Sequence, residues 1–535
     1  MNRPSRRVLL AFAALLTALT PALQSASAQA ARPDYAQIEG SGSTWSQVIV
    51  DQWIADVSSS GMPVTYSGGG SSMGRKNFAQ GVTDFGISEI PYPGTDEFGN
   101  PDTSNGREYA YLPIVAGGTA FTYQIKVGGK MLKTLRLSGE TLAKIFTNKI
   151  TNWNDPAITK DNNGRALPSL DITPVVRSDG SGTTAQFTTW LDKEYPSLWR
   201  PFFGRSGYTS YYPRKGRALA QSGSDQVMNT VAGFAGNGTI AYVEYSYPVN
   251  KNFPVVKVLN KGGYYVEPTQ YNVAVALTQA KINKDKGSQM YLTQILDGVY
   301  RAKDPRAYPL SSYSYMILPT GADDRRMTTA KRQTLMDFMY YGLCEGQTKA
   351  GPFGYSPLPL NLVKAGFEQL NLLAKADGGV DAKNRDVSRC NNPTFVSGNL
   401  NENKLAKEAP MPAACDKVGA GPCGTETGTG KPSTDDGSAP GTEDTGTTAP
   451  GAPGAPGTED GAPPAVDPET GQPVTAQTTA TSAEVFANPT EVSADRAAER
   501  KVFGWLAVGE LLALVLLPGL GAAWLRRRQM LRRQA

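Results

Sequence analysis

The sequence feature that most limits what this chain can fold into is a long stretch without aromatic residues, between Phe395 and Phe486. Its central part, residues 419–473, is rich in glycine and proline and carries many acidic residues but a single basic one, Lys431. A segment of this composition cannot bury enough apolar surface to offset the entropy lost on folding. We therefore predict a disordered, flexible stalk over residues 394–501 and a folded body over residues 34–393.

Apolar segments lie at the two ends of the chain. Residues 1–30 start with arginines, continue as an apolar run and end in small residues, which is the pattern of a secretory signal peptide. Residues 502–525 are apolar apart from Glu510 and are long enough to cross a hydrocarbon core of about 30 Å as a transmembrane helix. The arginine-rich tail, residues 526–535, is then cytoplasmic by the positive-inside rule. We expect a single-pass protein of the cell membrane with its folded body outside the cell; the role of Glu510 stays open.

The absence of histidine excludes much enzyme chemistry. The chain has no histidine at all, so a Ser-His-Asp triad, a Cys-His dyad and an HExxH zinc site are ruled out. The 53 basic and 48 acidic residues give a net charge of +5, too small an excess to indicate a nucleic-acid partner.

The four cysteines are expected to form disulfides, because the chain is predicted to be exported. Four cysteines allow three pairings. We favour Cys344 with Cys390 and Cys415 with Cys423, because the second pair lies close together in a stretch rich in glycine and proline.

Short apolar runs alternate with helical patterns along the folded body. Strands are predicted at residues 64–66 and 241–243, and this alternation is typical of an α/β fold. The predicted helices cover residues 45–57, 139–146, 184–195 and 329–341.

Three segments rich in glycine and hydroxyl residues each precede a predicted helix. We name them loop A (residues 40–45, GSGSTW), loop B (residues 68–74, GGGSSMG) and loop C (residues 177–184, RSDGSGTT). The start of a helix has unpaired N–H groups and the positive end of the helix dipole, so it favours an anion. A serine or threonine before one helix is more often just an N-cap. Three such loops, one with an arginine, point instead to a shared oxyanion site.

Two enzyme motifs also occur within these loops. Residues 70–74 match the G-x-S-x-G nucleophile elbow, but a hydrolase of that type needs a histidine base. Residues 180–185 match a dinucleotide-binding pattern only weakly, because no suitable acidic residue follows about 20 positions later. Neither motif supports an enzyme, a metal site or a bound cofactor.

Several stretches together resemble one family, the phosphate-specific solute-binding proteins of ABC importers. The matching stretches, which cover about residues 37–375 in family order, are 40–45, 70–72, 83–89, 137–153, 177–183, 240–245 and 308–310. The resemblance implies a two-lobed type II periplasmic-binding-protein fold with a hinge. Lobe I would comprise residues 34–119 and 267–372, and lobe II residues 120–266.

The resemblance also implies which residues bind phosphate. Trp45 stands where the family commonly has phenylalanine, Glu89 where it has aspartate, and Asp179 would orient the arginine of the site. The implied phosphate ligands are Ser43, Thr44, Trp45, Ser71, Glu89, Arg177, Ser181, Gly182 and Thr183.

Glu89 decides which oxyanion the site prefers. A carboxylate repels an anion unless it accepts a proton from it, and monohydrogen phosphate offers that proton whereas sulfate does not. An unpaired buried acceptor is a penalty of the kind that discriminates by about 10⁴ in polar sites. A plain salt bridge from Glu89 to Arg177 or Arg75 is the competing interpretation.

The resemblance implies a monomer that captures inorganic phosphate outside the cell and delivers it to the membrane permease of an ABC importer. Three alternatives stay open. The chain could be a surface sensing or adhesion protein on the same fold, a receptor for another oxyanion, or a phosphohydrolase with a Ser or Asp nucleophile, although no base or metal cluster is evident.

Overall fold

The computed structural model describes residues 35–423 apart from 386, 388–389, 397–398 and 400–401. The predicted signal peptide, transmembrane helix and cytoplasmic tail lie outside the described residues, as does most of the predicted stalk. Within the described part, no helix combines the length and apolar character needed to cross a membrane.

The folded body contains short and long strands, of which β6 and β17 are the longest. The strands are β1 Ile38–Gly42, β2 Val64–Gly68, β3 Phe85–Ser88, β4 Gly94–Thr95, β5 Pro101–Asp102, β6 Tyr109–Tyr123, β7 Lys126–Val127, β8 Lys130–Met131, β9 Arg136–Leu137, β10 Thr173–Arg177, β11 Leu219–Gln221, β12 Thr239–Glu244, β13 Lys257–Leu259, β14 Tyr265–Val266, β15 Lys281–Ile282, β16 Gln294–Ile295 and β17 Ser311–Pro319.

Helices alternate with these strands, so the predicted α/β class is confirmed. The helices are α1 Gln47–Ser58, α2 Ser71–Ala79, α3 Gly139–Phe146, α4 Pro156–Asp161, α5 Gly182–Glu194, α6 Pro196–Phe203, α7 Gly223–Ala232, α8 Ser246–Asn250, α9 Gln270–Leu277, α10 Asp297–Tyr300, α11 Thr329–Leu343, α12 Leu360–Ala376 and α13 Lys404–Glu408. Short 3₁₀ turns occur at Glu345–Lys349 and Ala414–Asp416.

The main sheet has the strand order β11-β10-β12-β6-β17-β3-β1-β2. Its central strand β6 serves both halves of the sheet: residues 109–118 pair with β17 and residues 119–123 pair with β12, both antiparallel. On one side β1 runs parallel to β2 and β3, and on the other β10 runs parallel to β11 and β12. The long strand β6 thus crosses between two α/β halves.

Helix α1 shows why the apolar spacing of the sequence produces this packing. Ile49, Trp53 and Val57 recur at helical spacing and are all buried. The Trp53 indole donates a hydrogen bond of 2.9 Å to the carbonyl of Gly346, which satisfies its polar group in the core. This packing fixes the start of α1, where loop A enters the helix.

The predicted start of the stalk at residue 394 is corrected by the segment 402–423. Its short helix α13 buries Leu405, and Arg306 donates to the carbonyl of Ala409 at 3.1 Å. Farther along, Asp416 forms a buried ion pair of 2.6 Å with Lys257. These contacts hold the segment on the body despite its few apolar residues.

Both predicted disulfides are confirmed. Cys344 is bonded to Cys390, which ties the end of α11 to the segment after α12. Cys415 is bonded to Cys423 within the segment 402–423.

Candidate anion-binding site

Loops A, B and C each follow a strand of the main sheet and lie against one another. The amide of Ser72 in loop B donates to the carbonyl of Gly180 in loop C at 3.0 Å, and the Gly182 amide donates to the Ser71 hydroxyl at 3.1 Å. The carboxyl ends of β1 and β2 and of β10 deliver these loops to one place. Crevices of this kind, at the carboxyl ends of parallel strands, are where α/β proteins bind ligands.

Glycines make the close approach of loops B and C possible. Gly70 has a φ of +89°, and a Cβ there would lie 2.6 Å from Asp179 Oδ2. A Cβ on Gly182 would lie 2.1 Å from Glu89 Oε2 and 2.4 Å from Ser71 Oγ of loop B. Side chains at either position would therefore push the two loops apart.

Arg177 supplies the positive charge of the site. Its guanidinium is almost fully buried and Nε donates to Asp179 Oδ1 at 2.7 Å, while a second nitrogen contacts Asp179 Oδ2. Asp179 also accepts the Gly223 amide at 3.0 Å. Burial alone would raise the pKa of Asp179, but the hydrogen bonds and charge of Arg177 lower it below its ordinary value. The pair thus holds the guanidinium in a fixed orientation.

Loop A reaches this guanidinium through a hydroxyl pair. Thr44 Oγ1 lies 2.9 Å from Ser224 Oγ, and Arg177 Nη1 donates to the same Ser224 oxygen at 3.3 Å. The carbonyl of Thr44 accepts a hydrogen bond from the Tyr247 hydroxyl. Loops A and C therefore meet at Arg177, while Gly70 of loop B lies against its partner Asp179.

Glu89 is buried and held by two hydroxyls. Oε2 accepts from Ser71 at 2.6 Å, and Oε1 lies 2.8 Å from the Ser314 hydroxyl. Among the described residues no ion pair includes Glu89; Arg177 pairs with Asp179, and Arg75 pairs with Asp102 at 2.6 Å. The salt-bridge interpretation of Glu89 is therefore not what the structure shows.

Several donors around these groups have no acceptor within the part of the chain that the structure describes. The Thr183 hydroxyl is buried and makes no hydrogen bond. The same holds for the N–H groups of Thr44, Ser71 and Thr183, which stand at the entrances of α1, α2 and α5. Buried donors without partners are costly, so their convergence from three loops indicates a place for an acceptor-rich ligand.

Several of the predicted ligand residues have donor groups engaged within the protein, including the Gly182 amide, which donates to Ser71. Ser43 Oγ accepts the Trp45 amide at 2.9 Å in the turn before α1, and Ser181 Oγ accepts the Thr184 amide at 3.2 Å as the N-cap of α5. The Trp45 ring is buried, and a Cβ on Gly117 would lie 2.7 Å from it. Ser43 and Ser181 thus shape the loops, whereas the buried indole N–H of Trp45 is a further donor without an acceptor among the described residues.

Comparison with known proteins agrees with this geometry. A family model described as a PBP superfamily domain matches residues 27–345. The phosphate-binding protein PstS of Methanocaldococcus jannaschii is 32% identical over 353 residues, covering 64% of this chain and 87% of the relative. Phosphate-binding protein PstS 2 of Mycobacterium tuberculosis is 31% identical, covering 60% and 83%.

The chain belongs to the PstS family of phosphate-binding proteins, within the PBP superfamily. The fold agrees as well: the structure of a high affinity periplasmic phosphate-binding protein (PfluDING) bound with phosphate has a TM-score of 0.50 at 18% identity, covering 65% of this chain and 100% of that chain. At this identity the likeness speaks for the fold alone.

Two residues of this PstS-family site were not found from the sequence. Ser224 is the second residue of α7, directly after Gly223, so the same glycine-hydroxyl pattern that marked loops A to C also marks it. Ser314 lies within the buried strand β17, where no local pattern distinguishes a serine that contacts Glu89 from an ordinary core serine.

Proposed function

We propose that this protein captures inorganic phosphate outside the cell and delivers it to the membrane permease of an ABC importer. The observation that carries the proposal is the convergence of three helix entrances, with unpaired N–H groups at Thr44, Ser71 and Thr183, around the buried guanidinium of Arg177. Backbone donors and one oriented cation together replace the water shell of a small dianion.

The energetic requirement is modest. A dissociation constant of about 1 µM corresponds to about 8 kcal/mol. Hydrogen bonds to a charged group contribute roughly 1.5–3 kcal/mol each, so the donors of loops A to C with Arg177 are sufficient after ordering costs. No metal or cofactor is required.

Glu89 gives the site its preference for a protonated oxyanion. Its carboxylate is buried beside Ser71 and the Gly182 backbone, and no cation pairs with it among the described residues. Monohydrogen phosphate can donate its proton to this carboxylate, whereas sulfate would leave two negative groups in contact. Phosphate and arsenate should therefore bind, and sulfate should not.

The proposed working motion is hinge closure between lobe I (residues 34–119 and 267–372) and lobe II (residues 120–266). Support comes from β6, which changes its partner from β17 to β12 between Gly118 and Thr119. Loops A and B belong to lobe I and loop C to lobe II, so an anion between them would hold the lobes together.

We further propose that the protein works as a monomer tethered to the cell membrane by residues 502–525, with a secretory signal at residues 1–30. This rests on the sequence pattern alone. The stalk that follows residue 423 would give the binding domain reach toward the permease.

Titration of the full chain with phosphate, arsenate and sulfate in a calorimeter tests the proposal. Heat with phosphate and arsenate but not with sulfate is expected, and no heat with phosphate would refute it. Loss of phosphate uptake on deletion in the native cell would separate transport from a sensing or adhesion role. Turnover of a phosphoester by metal-free protein would favour a phosphohydrolase instead.

A further inference from the structure

A small hairpin of lobe I, residues 94–102, touches lobe II at the edge of the site. Its strands β4 and β5 pair antiparallel. Asp96 Oδ1 accepts the amides of Phe98 at 2.9 Å and Asn100 at 2.7 Å, so the tip is held by its own hydrogen bonds. We name it the bridging hairpin.

The base of the bridging hairpin is fixed to the helix that loop B enters. Asp102 forms a largely buried ion pair of 2.6 Å with Arg75 of α2. The Tyr92 hydroxyl, just before the hairpin, donates to the carbonyl of Arg75 at 2.8 Å. Since α2 begins at Ser71, the hairpin and one of the anion-facing helix ends form a connected unit.

The tip of the bridging hairpin contacts lobe II. The Glu97 carboxylate accepts the amide of Ser210 and, at 3.3 Å, the hydroxyl of Thr209. The neighbouring Phe98 ring packs edge-on against Tyr211, with 5.1 Å between ring centroids. These contacts join residues about 110 positions apart in the chain, so they form only when the lobes are close.

The lobe II segment touched by Glu97 is itself bonded to the site. The carbonyl of Ser210 accepts the Ser181 amide at 2.9 Å, and Ser181 is the N-cap of α5. One path of contacts therefore leads from Arg75 and Asp102 through Glu97 to Ser210 and Ser181. It links the helix entrance at Ser71 on lobe I with that at Thr183 on lobe II.

We infer that Glu97 is a positioning residue that latches the lobes closed over the bound anion without touching it. The inference rests on the proposed function. The latch adds contacts only in the closed form, so its loss should act mainly on the rate of phosphate release.

The test uses the full chain loaded with radiolabelled inorganic phosphate and chased with excess unlabelled phosphate. Glu97→Ala should release label roughly tenfold faster than wild type, because a charged acceptor of two donors is lost. Glu97→Gln keeps an acceptor oxygen and should fall between the two. The melting temperature measured without phosphate should be the same for Glu97→Ala and wild type. If Glu97 only stabilised the fold, the variant would melt at a lower temperature.

Glu108→Gln is the matched control, because it removes one exposed carboxylate of the same lobe that lies beside Gly321. It should leave the release rate at the wild-type value. The latch would be overturned if wild type and Glu97→Ala released phosphate at the same rate, or if Glu108→Gln released it as fast as Glu97→Ala. Either result would leave the proposed phosphate site unaffected. A wild-type chain that retains no label would overturn the proposed function and the latch with it.

Discussion

The two halves of the candidate site differ in the charged group that each one holds. The lobe II half holds Arg177 in a buried ion pair with Asp179, so its cation is oriented before any ligand arrives. The lobe I half holds Glu89 between the hydroxyls of Ser71 and Ser314, with no cation beside it among the described residues. Under the proposed function, the half with Arg177 attracts any oxyanion, and the half with Glu89 rejects those that carry no proton.

This division implies that affinity and selectivity can be changed separately. Substitutions around Arg177 should weaken all oxyanions together. Substitutions around Glu89 should alter the ratio between phosphate and sulfate. The predictions below run from the largest expected effect to the smallest.

Removal of the cation should have the largest effect. Arg177→Met should weaken phosphate binding about 100- to 1,000-fold, because a buried charged donor is lost and Asp179 is left unpaired. Calorimetric titration of the full chain measures this. Arg217→Met is the control, since Arg217 also pairs with an aspartate of lobe II but is more than half exposed. A threefold loss or less in Arg177→Met would contradict the central role of the guanidinium.

Neutralising the acceptor should change selectivity more than affinity. Glu89→Gln removes the negative charge that excludes sulfate, so the ratio of phosphate to sulfate affinity should fall by at least about tenfold. Competition of sulfate against labelled phosphate gives this ratio. Glu89→Asp, which introduces the residue usual in the family, should keep the selectivity. An unchanged ratio in Glu89→Gln would mean that this carboxylate does not face the anion.

The sequence predicted the parts of the site that are local. Loop C could be read because glycine, hydroxyl groups and Arg177 lie within one segment before a helix. The roles of Ser314 and Glu97 could not, since each depends on contacts with residues far away in the chain. The predicted start of the stalk was placed too early for a similar reason. Asp416 forms an ion pair with Lys257, and composition does not reveal such a distant partner.

Removing the negative charge that orients Arg177 should have an intermediate effect on phosphate affinity. Asp179→Asn keeps the shape of the side chain but places a donor against Arg177, so phosphate affinity should fall about tenfold with selectivity unchanged.

The same variant should change how stability depends on pH. Folding lowers the pKa of Asp179 below its ordinary value of 3.8, so the ionised carboxylate stabilises the fold above that value. This stabilisation is lost as the pH falls through the pKa of the folded state. Denaturant unfolding should therefore show less loss of stability in Asp179→Asn than in wild type as the pH falls below 3.8; equal loss would contradict the ion pair.

The smallest effect is expected from the hydroxyl that supports Glu89. Ser314 is fully buried in β17 and lies 2.8 Å from Glu89 Oε1. Ser314→Ala leaves Ser71 as the remaining hydroxyl contact, so Glu89 gains freedom to turn away from the anion, and selectivity against sulfate should fall about threefold. Phosphate affinity should change less, because Arg177 and the loop amides are untouched. Ser312→Ala, on the same strand, is the control, since the buried Ser312 hydroxyl has no hydrogen-bond partner within the described residues. If Ser312→Ala altered selectivity as much as Ser314→Ala, the effect would belong to strand packing, and the lobe I half would select by shape instead of by a held carboxylate.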